Sequence, residues 1–127
     1  MNEQAKILIK TLSMLDDRTL FLEFNDEVII DLEAIKLIDK NCDALVAGRK
    51  LKRLVIAGKN TLITKEARVF GQVKSKEMRN IVIAEAVVVN TLPQKMVANF
   101  YFAFIKDFYP AKFFTDINKA KEWLSKY

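Results

Sequence analysis

Glu85 is the one polar side chain in the nine-residue run Ile81–Val89. With Ile83 and Val87 as its period-two neighbours, its carboxylate needs a cation beside it or a raised pKa, and perturbed carboxylates are groups that do acid–base chemistry. Two readings stay open: a functional carboxylate, or a structural one neutralised by an Arg or Lys from a covering helix or placed at a sheet edge. Asp16-Asp17 is the other acidic feature, but two adjacent aspartates supply fewer oxygens than a hard cation takes, so the pair reads as turn chemistry. Cys42 is the single cysteine, which excludes an intrachain disulfide and a cysteine-cluster metal site. It falls on an apolar helical stripe and reads as a small buried hydrophobe. The chain has no histidine, which removes imidazole acid–base chemistry, His-containing triads and His-ligated metals. Its three glycines, Gly48, Gly58 and Gly71, are too scattered to cradle a phosphate. No nucleophile–base pair, metal cluster or cofactor fingerprint emerges, so the expectation is a protein that is not an enzyme, with no metal and no cofactor.

The aromatic residues carry a different signal. Of thirteen, ten lie after residue 99 and six within Phe100–Tyr109. Between Met96 and Ile105 only Asn99 is clearly polar, so the helix expected over 96–109 is apolar nearly all round. One face, Val97, Phe100, Tyr101 and Phe104, is expected to pack on a sheet. The opposite side, with Met96, Ala98, Phe102 and Ile105, then needs cover from neighbouring elements, a second subunit or a bound apolar ligand. Met96, Phe100, Phe102, Ile105, Phe108 and Tyr109 are the candidate interaction or ligand surface.

The elements that must position these groups follow from periodicity. Lys6–Leu12 alternates as a strand, Asp16-Asp17-Arg18 is a turn, and Thr19–Phe24 is a second strand, together an opening antiparallel hairpin. Val28–Ile30 reads as a short extended piece. Asp31 is an N-cap, with Leu32, Ile35, Ile38, Cys42, Leu45 and Val46 at helical spacing and Gly48 as the stop. Lys52–Ala57 is a strand, and Thr64 caps a helix with Ala67, Phe70 and Val73 inward. Ile81–Val89, apolar on both faces, is a central strand covered by helices. Leu92 and Pro93 open the aromatic helix. Lys112–Phe114 is a last strand, and Thr115 or Asp116 caps a terminal helix with Ile117, Ala120, Trp123 and Leu124 inward. The order β-β-α-β-α-β-α-β-α predicts one α/β domain over residues 1–127, with a mixed, largely parallel five-stranded sheet and about four helices.

Charge is unevenly spread. Residues 1–47 carry a net −5, residues 48–80 a net +8 and residues 81–127 a net +2. Such asymmetry points either to an acidic partner or to acidic and basic elements that face each other within the fold. Only Phe70 lies among the ten basic residues of 48–80, so the stacking platform of a single-strand binder is missing and nucleic acid is not the expected partner. No stretch has the length of a transmembrane helix or a secretory signal, which makes the cytoplasm the expected compartment.

The order of elements, with Ile63-Thr64-Lys65-Glu66-Ala67-Arg68, Ile83–Asn90, Val97–Phe102, Pro110–Thr115 and Ala120–Leu124, resembles the small bacterial STAS-like proteins. These are cousins of the anti-sigma-factor antagonists, and the chain looks like a subgroup with some likeness to the lipid-binding CRAL-TRIO fold. The resemblance implies a STAS-like domain that works by docking. In regulatory STAS domains an Asp-Ser pair at a helix N-terminus is the phosphorylation switch. By register that pair falls on Thr64-Lys65, where lysine stands in the serine position, so the switch does not carry over there. Thr61 and Thr64 remain as hydroxyls of the candidate switch loop with Lys65, while Thr64 also serves as an N-cap. The functional expectation is a non-enzymatic regulatory or interaction domain that forms a homodimer or binds a regulatory protein. The alternative is a small apolar-ligand or lipid-binding protein built on helix 96–109.

Overall fold

The computed structural model describes residues 1–127. It contains α1 (Glu3–Leu8), β1 (Ile9–Asp16), β2 (Thr19–Phe24), β3 (Ile29–Ile30), α2 (Leu32–Val46), β4 (Leu51–Ile56), β5 (Leu62–Ile63), α3 (Lys65–Glu77), β6 (Val82–Val88), α4 (Leu92–Ile105), β7 (Ala111–Phe114) and α5 (Ile117–Leu124). Five strands form one sheet in the order β1-β2-β4-β6-β7. The β1–β2 pair is antiparallel and the other three pairings are parallel, so the mixed α/β architecture is as expected.

The hairpin turns on Asp16, whose carboxylate accepts from the Arg18 N–H at 2.8 Å and the Thr19 hydroxyl at 3.1 Å. The Arg18 amide holds the Asp16 carboxyl below its ordinary pKa. The first strand begins later than the alternation over Lys6–Leu12 suggests. Asn2 accepts from the Ala5 N–H and caps a short helix through Leu8, which leaves Ile7 exposed and Ala5 buried. A capping bond within the first turn overrides the weak alternation of those residues. The helices therefore number five. Val28–Ile30 also has a partner the periodicity did not reveal: β3 pairs in parallel with β5 in a separate two-stranded sheet.

The other caps act locally and fall where their residue types place them. Asp31 accepts from the Ala34 N–H, Thr64 from Ala67 and Asp116 from Asn118 and Lys119. Helix α2 ends with Ala47 and Gly48 both at positive φ. Gly58 closes β4 where the Asn25 carbonyl and the Thr61 hydroxyl leave no room for a Cβ atom.

Side chains alternate across the sheet. One face buries Leu54, Ala84, Ala86 and Val88 against Ala120 and Leu124 of α5. The opposite face carries Leu20, Leu22 and Val55 under α2, and Val89 under α4. Helix α3 lies chiefly on α2 and α4. It turns Ala67 and Ser75 inward with Gly71 between them, while Val73 points to solvent, contrary to the expected stripe of Ala67, Phe70 and Val73. Small residues win that face because the Tyr101 ring packs against it, its edge 3.5 Å from where a Gly71 Cβ would stand.

Candidate functional site

Beneath α3, between it and the sheet, lies a chamber of about 240 Å³. Its walls are mostly apolar, among them Leu22, Ile38, Val46, Val87 and Phe102, and its floor is charged. Parallel pairing of β4 with β6 sets Arg53 directly beside Glu85 on the chamber face. The Arg53 Nε lies 3.1 Å from Glu85 Oε2, and the Glu85 residue is 2% exposed. Glu85 thus takes its cation from the neighbouring strand, not from a covering helix, and it sits on an interior strand rather than an edge. Burial, the largest single effect, would lower the Arg53 pKa, but the Glu85 charge together with Tyr109, Tyr101 and Cys42 outweighs it and holds the guanidinium above its ordinary value. The pair is in ionic contact without hydrogen-bond alignment, because Arg53 Nε and Glu85 Oε1 both lack a hydrogen-bond partner.

Around this floor stand groups with altered acidity. Burial pushes the Cys42 thiol up to about 11, so at neutral pH it is a protonated, poorly nucleophilic thiol. Burial, followed by the Glu85 charge, pushes Tyr101 up to about 12. The Ser75 hydroxyl donates to the Gly71 carbonyl at 2.7 Å, so its 2.6 Å contact with Tyr101 is a bond in which the tyrosine donates. Tyr109 is buried behind them, its hydroxyl unpartnered and its pKa raised by burial and then by Glu85. On the outer side, Lys74 of α3 bridges Asp39 at 3.2 Å and Asp43 at 2.8 Å on α2. This contact ties the acidic N-terminal segment to the basic middle one, as the facing-elements reading expected. Burial, with Asp43 beside it, raises the Asp39 pKa.

Helix α4 is turned part of the way from the expectation: Val97 and Tyr101 line the chamber as an inward face would, but Phe100 and Phe104 face out. Ala98, Phe102 and Ile105 are buried, with Tyr109 just beyond the helix end, whereas Phe100 is 75%, Met96 55% and Phe104 46% exposed. Gln94 decides this rotation. Its Oε1 accepts from the Asn90 N–H at 2.8 Å, and its Nε2 donates to the Gly58 and Thr61 carbonyls at 3.0 and 2.9 Å. Those bonds turn the 94–98–102–105 stripe inward. The aromatic candidates therefore divide. Met96 and Phe100 belong to an outer face, Phe102, Ile105 and Tyr109 belong to the core, and Phe108 is half-buried with its ring edge-on to Phe104. Met96 and Phe100 line a groove between α3 and α4 with Val69 and Gln72, closed at one end by Lys65 and Arg68.

The switch-loop residues do not gather. Thr61 is buried and donates to the Asn25 carbonyl at 2.9 Å, Thr64 caps α3, and Lys65 is exposed in its first turn. The residues that the sequence reading missed are Arg53 and Gln94. Gln94 had a local signal, the Thr91-x-x-Gln94 capping box. Arg53 had none, because its role exists only in the register of two strands.

Comparison with known proteins bears on the family and the fold. Residues 13–127 match a family described as Domain of unknown function (DUF7793), and the chain belongs to that family. Among solved structures it is similar to an uncharacterized protein from the DUF3478 family, with a SpoIIAA-like fold, from Shewanella loihica PV-4. That match has a TM-score of 0.66 at 15% identity and covers 91% of each chain. At that identity the likeness establishes the STAS-like fold, in agreement with the resemblance read from the residues. No curated protein matches the chain.

Proposed function

We propose that this DUF7793 domain is a non-enzymatic docking module that pairs with a second copy of itself through the outer face of α3 and α4. The observation that carries the reading is a patch on adjacent helices: Val69 and Val73 on α3, and Met96, Phe100 and Phe104 on α4, each close to half exposed or more. Residues three and four apart share a helix face, so each row is continuous, and the groove lined by Val69, Met96 and Phe100 joins the two helices. A contiguous apolar surface of this kind marks an interaction site more often than idle exposure. Two-fold pairing is the commonest oligomer and lets one patch cover its own copy.

Sedimentation equilibrium tests this directly. The wild-type chain is expected to sediment as a dimer and Phe100→Asp as a monomer with an unchanged unfolding midpoint, since Phe100 contributes little to the core. A wild-type monomer at all concentrations overturns self-pairing. The same charge placed at Phe102 would unfold the core and report nothing on docking.

Apolar-ligand binding is a second reading, favoured by the chamber under α3. No helix is long and apolar enough to cross a membrane.

A further inference from the structure

We infer that the chamber under α3 binds a small apolar molecule bearing a single hydroxyl group, with that hydroxyl seated between Arg53 and Glu85. The inference rests on the ligand reading above and adds the chemistry of the head group. Size comes first. A protein cavity of about 150 Å³ accommodates benzene, so about 240 Å³ corresponds to roughly ten heavy atoms. The lining includes exposed Leu62 and Pro93, so the chamber reaches the surface between β5 and the start of α4.

The floor then selects the head group. Glu85 Oε1 is a buried acceptor that no protein group satisfies, and an unsatisfied buried acceptor is costly. Beside it, the Arg53 side chain keeps 22% of its surface open, and Glu85 is its only ion-pair partner. The site therefore offers an acceptor and a donor side by side, and a hydroxyl complements both at once. A hydrocarbon satisfies neither, and an ether oxygen serves only Arg53. A carboxylate would bring another negative charge to a lining that already holds three carboxylates, Asp39, Asp43 and Glu85, against two guanidiniums, Arg53 and Arg68. Tyr109, though unpartnered, is not among the lining residues and has no part in this contact.

Cys42 is the only cysteine and lines the same chamber, so it reports occupancy without any added label. The experiment follows the rate at which a small methanethiosulfonate modifies Cys42 in the wild-type chain. Octan-1-ol and its isomer 1-methoxyheptane are titrated in parallel, since they share a formula and differ in the donor. At a concentration about ten times its dissociation constant, octan-1-ol is expected to slow modification roughly tenfold. The ether should bind roughly tenfold more weakly, because it leaves Glu85 Oε1 unsatisfied. In Glu85→Gln the amide can present an N–H where the acceptor was, so the preference for the alcohol should disappear. Equal protection by the two isomers in the wild type overturns the hydroxyl assignment and leaves an apolar site standing. Protection by neither overturns the ligand reading as well. Should Glu85→Gln fail to fold, the wild-type isomer comparison decides alone.

Discussion

The two faces of the central sheet are built from the same strands and solve burial in opposite ways. On the α5 side, Leu54, Ala84, Ala86 and Val88 meet Ala120 and Leu124, all buried and all uncharged. Alanines in β6 let α5 approach closely, and no charge is buried between them: Lys52, on the same face, reaches past the packing to donate to the Leu124 carbonyl at the helix end at 3.1 Å. On the other side the same strands present Arg53 and Glu85, and the helices stand off to leave about 240 Å³. A sheet face optimised for stability alone would look like the first. The second keeps a buried ion pair and a cavity, both of which cost stability. Such local departures from close packing concentrate where a protein has something other than folding to do.

The comparison can be broken most severely at the ion pair. Glu85→Ala leaves Arg53 without its counterion and is expected to cost about 3–5 kcal/mol in urea unfolding. Replacing both members, Arg53→Met with Glu85→Leu, should restore most of that loss, since an apolar pair needs no compensation. A cost below about 1 kcal/mol for Glu85→Ala would mean that the chamber hydrates Arg53 freely, and the sheet face would then count as solvent-exposed rather than buried.

Enlarging a side chain on each face sharpens the contrast. Ala86→Leu, against α5, is expected to lower stability by about 1–3 kcal/mol because no space waits for it. Val55→Ile, on the chamber side, should change stability by less than about 1 kcal/mol, or raise it, as the methyl group enters empty volume. Equal losses from the two substitutions, measured by thermal unfolding, would erase the distinction between the faces.

The mildest test changes only pH. The Cys42 thiol titrates near 11 and thiolate is its reactive form. Its modification rate should therefore climb about tenfold per pH unit from neutrality toward that value. A plateau near pH 8.5 would place the thiol in water and remove it from the chamber wall.

Much of the local structure was legible in the chain. Asp31, Thr64 and Asp116 cap their helices because a short oxygen side chain reaches amides two or three residues on, an interaction complete within one turn. The apolar run over β6, interrupted only by Glu85, announced a central strand with one carboxylate that needed neutralising. The candidate site was legible only in part. Glu85 stood out, but Arg53 looked like one basic residue among many, since nothing near it in sequence marks the strand it would join.

Helix α4 shows the limit most clearly. Its composition is apolar on every side, so hydrophobicity could not choose which side went in. Gln94 made the choice through bonds to Gly58 and Thr61, more than thirty residues away. The same distance hid the β3–β5 pair and the burial of Thr61. By itself the sequence determined the caps, most of the elements and the isolation of one carboxylate in an apolar strand, because those depend on neighbours a few residues apart. Tertiary structure alone decided the strand register that pairs Arg53 with Glu85, the rotation that leaves Phe100 outside, and the space beneath α3. Each of these is a relation between elements brought together only when the chain closes on itself.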